Sequence, residues 1–277
     1  MKIELAKNEI IHFVGIGGIG MSGLSLIMKG KGFKVQGSYI SSNKNIERLK
    51  KQKIKLEVKN WTKQFLKDRS DFLLNRDKIK YKNYPIQPFG LFKELRKVLP
   101  KNSAITLDAG TLCLQATDAL EYYNPPSLFT PLDFGLVGFS FACGLGVKLA
   151  KPKKTVVSLM GDGGFGMTIS ELSTAVEHKI NTITIVMNNK SWGAEKAYQK
   201  DFFGKRYLGA DISSPPFDKV AELYGAKGYK VKKLSEINDT LKSALKVNKP
   251  VVIEIDVDPK ALYSFRKDSF KNKLNAN

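Results

Sequence analysis

"GDGGFGMTISELSTAVEHKINTITIVMNN", residues 161–189, decides the fold. An apolar run, "KTVVSLM" (154–160), leads into the glycines, and a second, "TITIVMNN" (182–189), closes the stretch. Between them "TISELSTAVEHK" (168–179) has helical periodicity, and Thr168 and Glu171 stand at capping-box spacing for its start. The reading is strand, helix, strand. A right-handed crossover brings the carboxyl ends of both strands to one sheet edge, where α/β proteins bind ligands. That edge carries Asp162 among Gly161, Gly163 and Gly164, with Asn188 and Asn189 opposite. Glycines leave backbone N–H groups free to approach phosphate, and a helix N-terminus favours an anion. A carboxylate facing an amide oxygen suits a hard cation such as Mg²⁺, which completes its octahedron with phosphate oxygens and water. Either half alone also has a plain structural reading, as a Gly-Asp-Gly turn or as asparagines ending a strand. Placed together at two neighbouring strand ends, they favour a Mg²⁺–diphosphate site.

Working outward, the same alternation continues on both sides. "PFGLFKELRKVLP" (88–100) predicts an amphipathic helix, "AITLDAG" (104–110) a strand ending in a turn, and "LCLQATDALEYY" (112–123) a helix. "FGLVGFSFACGLGVKLAKP" (134–152) predicts a Gly- and Ala-rich helix able to pack closely on a sheet or ligand. "PFDKVAELYGA", "YKV", "LSEINDTLKSALKV" and "PVVIEIDVD" add two helix–strand units. The expected class is α/β, a mainly parallel sheet with helices on both faces. At the other end, "EIIHFVGIGG", "IGMSGLSLIMKGKG", "FKVQGS", "NKNIERLKKQ" and "IKLEV" predict a partial Rossmann-like βαβαβ unit that stops near residue 58. The charged, aromatic stretch between them reads as a linker helix. The expected domains are therefore 1–58, a linker over 59–84, and 85–277.

Bulk properties narrow the class. A chain of 277 residues, 42% hydrophobic, is long enough for a real core. No apolar run approaches the ~20 residues of a membrane span, and "MKIELAKNEIIHFVG" lacks a secretory pattern, so a cytoplasmic protein is expected. Cys113 and Cys143 fit neither a disulfide framework nor a metal motif and read as buried thiols. His12 and His178, the only histidines, read as structural. The formal charge of +20 comes from lysines scattered over amphipathic segments, without a basic stripe interleaved with aromatics. Neither nucleic acid nor a membrane is an expected partner; a small-molecule substrate is.

"GDG", 24 further residues and "NN" resemble the diphosphate-binding signature of thiamine-diphosphate (ThDP) enzymes, and the likeness extends over about residues 60–277. "WTKQFLKDRSDFLLNRD" is similar to the linker before the cofactor domain in acetolactate-synthase-like members, and "TLDAGT" to their first phosphate-side turn. "NNKSWGAEKAYQKDFFGKRYLG" and the tail "FRKDSF" are closest to the sulfoacetaldehyde acetyltransferase branch, from which "FGLVGF" departs. The resemblance implies ThDP and Mg²⁺ as cofactors, with Asp162, the Asn189 side chain and the Ser191 carbonyl as metal ligands. It implies that Gly163 and Gly164, with Gly110, Thr111 and Leu112, contact the diphosphate, and that Gly135 meets the aminopyrimidine. Val137 stands where members place an apolar side chain under the cofactor, and it is smaller than the methionine often found there. The implied activity is carbon–carbon bond chemistry on 2-oxo acids or related aldehydes, supplied by the cofactor while the protein binds and orients. Members activate the cofactor with a glutamate on a further domain, usually across a dimer; none of Glu4, Glu9, Glu47 or Glu57 lies in a matching context. A second subunit or domain, or a homo-oligomer, is therefore expected to supply it. No residue of this chain is assigned a catalytic role. Trp192, Lys196 and Arg206 either line the substrate region or serve in packing and at the surface.

Gly15, Gly17 and Gly20 have the spacing G-x-G-x-x-G. A dinucleotide site also wants an acid at the end of the second strand, and "VQGSY" ends in Tyr39. Residues 8–57 instead resemble the opening of the Mur ligases, in the branch adding alanine to UDP-N-acetylmuramate, whose corresponding loop faces a UDP diphosphate. No G-x-x-x-x-G-K-[ST] loop for ATP occurs, so neither ligase nor NAD-dependent activity is expected. The alternative to an enzyme component is a non-catalytic fusion fragment that binds cofactor or nucleotide without turnover.

Overall fold

Two parallel sheets organise the chain, one from the Gly-rich start and one from the β-branched runs of the second half. The computed structural model describes residues 9–58, 61–131 and 134–262; Glu4 and the "FRKDSF" tail (265–270) lie outside them. The chain divides into two compact units, Met1–Lys80 and Tyr81–Asn277.

In the first unit the order is β1 (Ile10–Val14), α1 (Ile19–Gly30), β2 (Lys34–Tyr39), α2 (Lys44–Lys51), β3 (Lys55–Val58) and α3 (Trp61–Lys78). β2 pairs in parallel with both β1 and β3. Asn43 caps α2, its Oδ1 accepting from the Ile46 N–H at 3.0 Å. Phe13, Ile16, Tyr39, Ile46, Leu49 and Ile54 form a small core. A Cβ on Gly37 would lie 2.5 Å from Ile16 Cδ1 and 2.8 Å from the Phe13 carbonyl, so any side chain at this strand position forces its neighbours to shift.

The second unit runs α4 (Pro88–Val98), β4 (Ala104–Leu107), α5 (Thr111–Ala119), β5 (Leu128–Phe129), α6 (Phe139–Ala150), β6 (Val156–Gly161), α7 (Asp162–Thr168), α8 (Leu172–Glu177) and β7 (Ile183–Asn188). It continues with α9 (Gly193–Phe202), α10 (Phe217–Leu223), β8 (Lys227–Val231), α11 (Ile237–Ala244) and β9 (Val251–Asp256). The sheet order is β5-β4-β6-β7-β9-β8, and every pair is parallel. Strand alternation sends Val157, Leu159, Ile183, Ile185, Ile253 and Ile255 to one face, packed with Leu91, Phe92 and Leu95 of α4, Ala116 of α5 and Leu241 of α11. Met160, Val186 and Val252 face the other side, packed with Phe141, Phe165, Leu172 and Phe217. There the rings of Phe141, Phe165 and Phe217 meet edge to face, with centroids 5.5 and 5.2 Å apart. Strands buried on both faces need continuous apolar runs, which is what the sequence supplies. The α/β class with helices on both faces is as expected.

Local boundaries differ in three places. The helix expected from Thr168 begins only at Leu172, as α8, and a separate helix, α7, precedes it because Gly161 is extended and the chain turns straight into a helix at Asp162. Thr168 and Glu171 form no capping box: Thr168 Oγ1 turns back to the Gly164 carbonyl, and the Glu171 carboxylate accepts from Thr174 Oγ1 at 3.0 Å. The helix expected over 134–152 starts only at Phe139, since Gly135 and Gly138 have φ of +66° and +88°. That over 112–123 ends at Ala119, where Tyr122 Oη donates back to the Ala116 carbonyl and Arg96 holds the Glu121 carbonyl. Among the described residues no helix is long and apolar enough to cross a membrane.

Candidate functional site

The chain leaves β4 toward β5 on one side and returns to β6 on the other, so the strand order reverses between β4 and β6. The crevice outside the carboxyl ends at such a switch point is the usual ligand position in an open parallel sheet. A cavity of about 310 Å³ lies there. Four segments wall it: the β4–α5 turn, the turn before α6, the β6–α7 junction and the loop from β7 into α9. Gly110, Thr111, Leu112, Gly135, Val137, Asp162, Gly163, Gly164, Asn189 and Ser191 all line it.

The glycines are dictated by close approach. A Cβ on Gly163 would lie 2.5 Å from the Trp192 ring, and one on Gly164 would lie 2.0 Å from Asp108 Oδ2. Gly110, with φ +111°, precedes the first turn of α5. Both α5 and α7 therefore begin at the cavity wall, turning the positive ends of two helices toward the same space.

Asp162 is 1% exposed. Its Oδ2 accepts from Ser214 Oγ at 2.6 Å, and its Oδ1 is buried with no hydrogen-bond partner. Desolvation pushes its pKa up; the Ser214 bond and the nearby backbone N–H groups of Asp162, Asn189 and Gly163 offset part of this. A buried carboxylate oxygen without a partner is costly in a finished fold and suits a position awaiting a cation. At the neighbouring strand end, Asn189 Oδ1 accepts from the Ser191 N–H at 3.2 Å, an Asx turn that fixes the amide and leaves its oxygen a second lone pair. Among the described residues no three His, Cys, Asp or Glu side chains gather around one point. One carboxylate with neutral oxygens is the donor set of a cation that also takes phosphate oxygens, as Mg²⁺ does. The buried unpartnered oxygen and the glycine cradle both fit a diphosphate held through such a cation.

Behind this wall stands a buried network. Asn188 Nδ2 donates to Glu254 Oε1 at 2.7 Å, while Asn188 Oδ1 accepts from the Lys190 N–H at 3.1 Å. Lys230 Nζ reaches the same Glu254 oxygen at 2.7 Å and also pairs with Asp256. The two asparagines thus divide the work: Asn188 anchors the loop to the sheet, and Asn189 faces the cavity.

Of the three residues with an open role, Trp192 lines the cavity. Lys196 instead pairs with Asp211 and sits 5.5 Å from the centre of the Tyr207 ring, while Arg206 is exposed and donates to the Phe203 carbonyl. Cys113 is buried at the wall, and burial pushes its thiol pKa up, away from nucleophilic use. Cys143 is half-buried rather than buried. His12 makes contacts within its sheet, to Ser38 Oγ and Gln36 Nε2, each at 3.1 Å. Sequence reasoning missed Glu195 and Tyr198, which line the cavity from α9. Their three-residue spacing after the asparagine pair was a usable helical signal. Ser214, 52 residues from the carboxylate it bonds, gave none.

Comparison with known proteins matches residues 108–255 to the family described as thiamine pyrophosphate enzyme, C-terminal TPP binding domain. Residues 10–64 match the Mur ligase family, catalytic domain. Sulfoacetaldehyde acetyltransferase of Castellaniella defragrans is 30% identical over 224 residues, 79% of this chain and 37% of that protein. A probable acetolactate synthase large subunit of Methanococcus aeolicus is 33% identical over 66% of this chain and 32% of its own length. The solved thiamine diphosphate-dependent 4-hydroxybenzoylformate decarboxylase of Rhodococcus jostii RHA1 superposes with a TM-score of 0.60 at 26% identity, covering 65% of this chain and 34% of that one. The chain thus spans about a third of the length of these relatives.

Proposed function

Because this chain belongs to the thiamine pyrophosphate enzymes through their C-terminal TPP-binding domain, we propose that residues 81–277 bind ThDP through Mg²⁺ as the cofactor half of a carbon–carbon bond-forming or -breaking enzyme. The observation that carries this reading is the buried Asp162 Oδ1 without a partner, in the cavity that Asn189 and Ser191 also line. Asp162, the Asn189 amide oxygen and the Ser191 carbonyl hold the cation. The backbone at Gly110–Leu112 and Gly163–Gly164 holds the diphosphate, and Gly135 and Val137 support the rings. When bound, ThDP supplies the carbon–carbon chemistry on a 2-oxo acid or related aldehyde. The protein's part is to fix the cofactor's anionic end, to wall it with Trp192 and Tyr198 and to exclude water.

The activating glutamate comes from a second subunit or domain, or from a second copy of this chain. Of the acids lining the cavity, Asp162 is assigned to the cation and Glu195 lies exposed at the start of α9. Calorimetric titration of the purified chain with ThDP, with and without Mg²⁺, tests the reading. Saturable binding that requires Mg²⁺ is expected; binding indifferent to Mg²⁺ and to Asp162→Ala would reject it. Turnover on adding a glutamate-bearing domain separates an enzyme component from a non-catalytic fragment, and turnover by the chain alone would overturn the need for a partner.

A further inference from the structure

Resting on that cofactor reading, we propose that Asp108 is the positioning residue of the site, one carboxylate that locks three of its four walls into register. Asp108 follows β4 directly, and its N–H bonds to the Leu159 carbonyl of β6 at 3.1 Å. Its side chain does not line the main cavity; it borders a smaller one of about 100 Å³ that shares Gly110 and Gly135 with it. Asp108 Oδ2 accepts from the Gly138 N–H at 3.0 Å, and Oδ1 from the Ser140 N–H at 3.3 Å. These are the N–H groups of the residue before α6 and of its first turn, and the helix has no capping side chain of its own. The same Oδ2 lies where a Cβ on Gly164 would come within 2.0 Å, so the start of α7 packs directly onto the carboxylate.

The consequence is geometric. The turn Gly110–Leu112 is continuous with Asp108 in the chain. Gly135 and Val137 precede the N–H that Asp108 holds. Gly163 and Gly164 lie against it. Diphosphate contacts and ring support come from different segments, and a cofactor spanning them needs their spacing fixed to a fraction of an ångström. Burial pushes the Asp108 pKa up, while the N–H groups of Gly138, Ser140, Ala109 and Phe139 favour its charge. Asn cannot replace this, because its –NH₂ would face one of two N–H donors.

A merely structural role would lower stability and leave affinity alone. The test therefore compares Asp108→Asn, which keeps one acceptor at the same reach, and Asp108→Ser, whose single oxygen is one bond shorter, with Ser158→Ala. Ser158 lies in the buried hydroxyl cluster with Thr106 and Ser140, which also ties α6 to the sheet but away from the cavity. Each protein is titrated with ThDP at saturating Mg²⁺ at a temperature where circular dichroism shows it folded. Hydrogen exchange of residues 135–140 is followed in the cofactor-free chain. Asp108→Asn is expected to raise the Kd by tenfold or more and to speed exchange in 135–140, with Asp108→Ser at least as affected. Ser158→Ala is expected to lower Tm with less than a twofold change in Kd. Wild-type affinity in either folded Asp108 variant would overturn the proposal while leaving the cofactor reading intact. Failure of the wild-type chain to bind ThDP with Mg²⁺ would overturn both.

Discussion

Asp162→Asn separates holding the fold from holding the cation. In the cofactor-free protein the carboxylate gains one charge-assisted bond from Ser214, worth about 1.5–3 kcal/mol. Against this, the buried, unpartnered Oδ1 costs about 1–3 kcal/mol. The terms nearly cancel, and an amide of the same shape keeps an oxygen for Ser214, so cofactor-free stability should change by less than about 1 kcal/mol. For a unit of this size that is a Tm shift within about 2–4 °C, in either direction. Ligand linkage behaves differently. At ThDP and Mg²⁺ a hundredfold above Kd the wild type gains about 2.7 kcal/mol, or about 5–10 °C, and the variant should gain almost none. Differential scanning fluorimetry with four conditions (neither ligand, each alone, both) reads the whole pattern. A cofactor-free variant melting more than 10 °C below wild type would make Asp162 a structural residue. A variant keeping the full two-ligand shift would remove it from the cation site.

Glu254→Gln should cost about 2–3 kcal/mol, less than the ~3–5 kcal/mol of a fully orphaned ion because Lys230 keeps Asp256; urea unfolding measures it. Burial raises the Glu254 pKa, but the bonds from Lys230 and Asn188 outweigh it and hold the net value low. Its contribution is therefore present above the ordinary carboxylate pKa of 4.5 and is lost as pH falls through the depressed one. The stability gap between wild type and Glu254→Gln should shrink on acidification, and a gap that widened would refute the assignment. Gly163→Val drives a side chain into the Trp192 ring, 2.5 Å from the Cβ position, and should weaken ThDP binding by at least tenfold, with a changed tryptophan emission as the direct check. Gly37→Ala should cost the first unit about 1–3 kcal/mol by overpacking against Ile16, seen as faster hydrogen exchange in strands β1–β3.

Legibility followed locality. Strands buried on both faces announce themselves as short apolar runs, so β4, β6, β7 and β9 were readable, and with them the edge where Asp162 and Asn189 meet. The two-residue β5 carries too little pattern to stand out. Helix starts were misplaced wherever glycine conformation, not periodicity, set them: Gly161 extended before Asp162, Gly138 left-handed before Phe139. The ten predicted site residues, all of which line the cavity, come from motif positions on the chain. Their supports do not. Ser214 reaches Asp162, and Glu254 reaches Asn188, across separations of 52 and 66 residues, which only the folded sheet closes.

The two glycine-rich turns show what a spacing does and does not specify. In the first unit the N–H groups of Gly15 and Ile16 both bond to the Ser38 carbonyl, and that of Gly18 bonds to the Gly15 carbonyl. The Gly17 carbonyl accepts from the side chains of Asn43 and Asn45, each at 3.0 Å. These bonds hold the turn, while the start of α1 carries no side-chain cap. At the end of the second strand, where a ribose-binding acid would stand, Tyr39 is packed into the core at 8% exposure. In the second unit the glycines border a cavity, and the carboxylate beside them keeps a buried oxygen with no partner. Glycine permits both turns on the same steric grounds. What distinguishes them is the side chain at the strand end: a packed tyrosine beside Gly15–Gly20, and a carboxylate with one unpartnered buried oxygen at Gly161–Gly164.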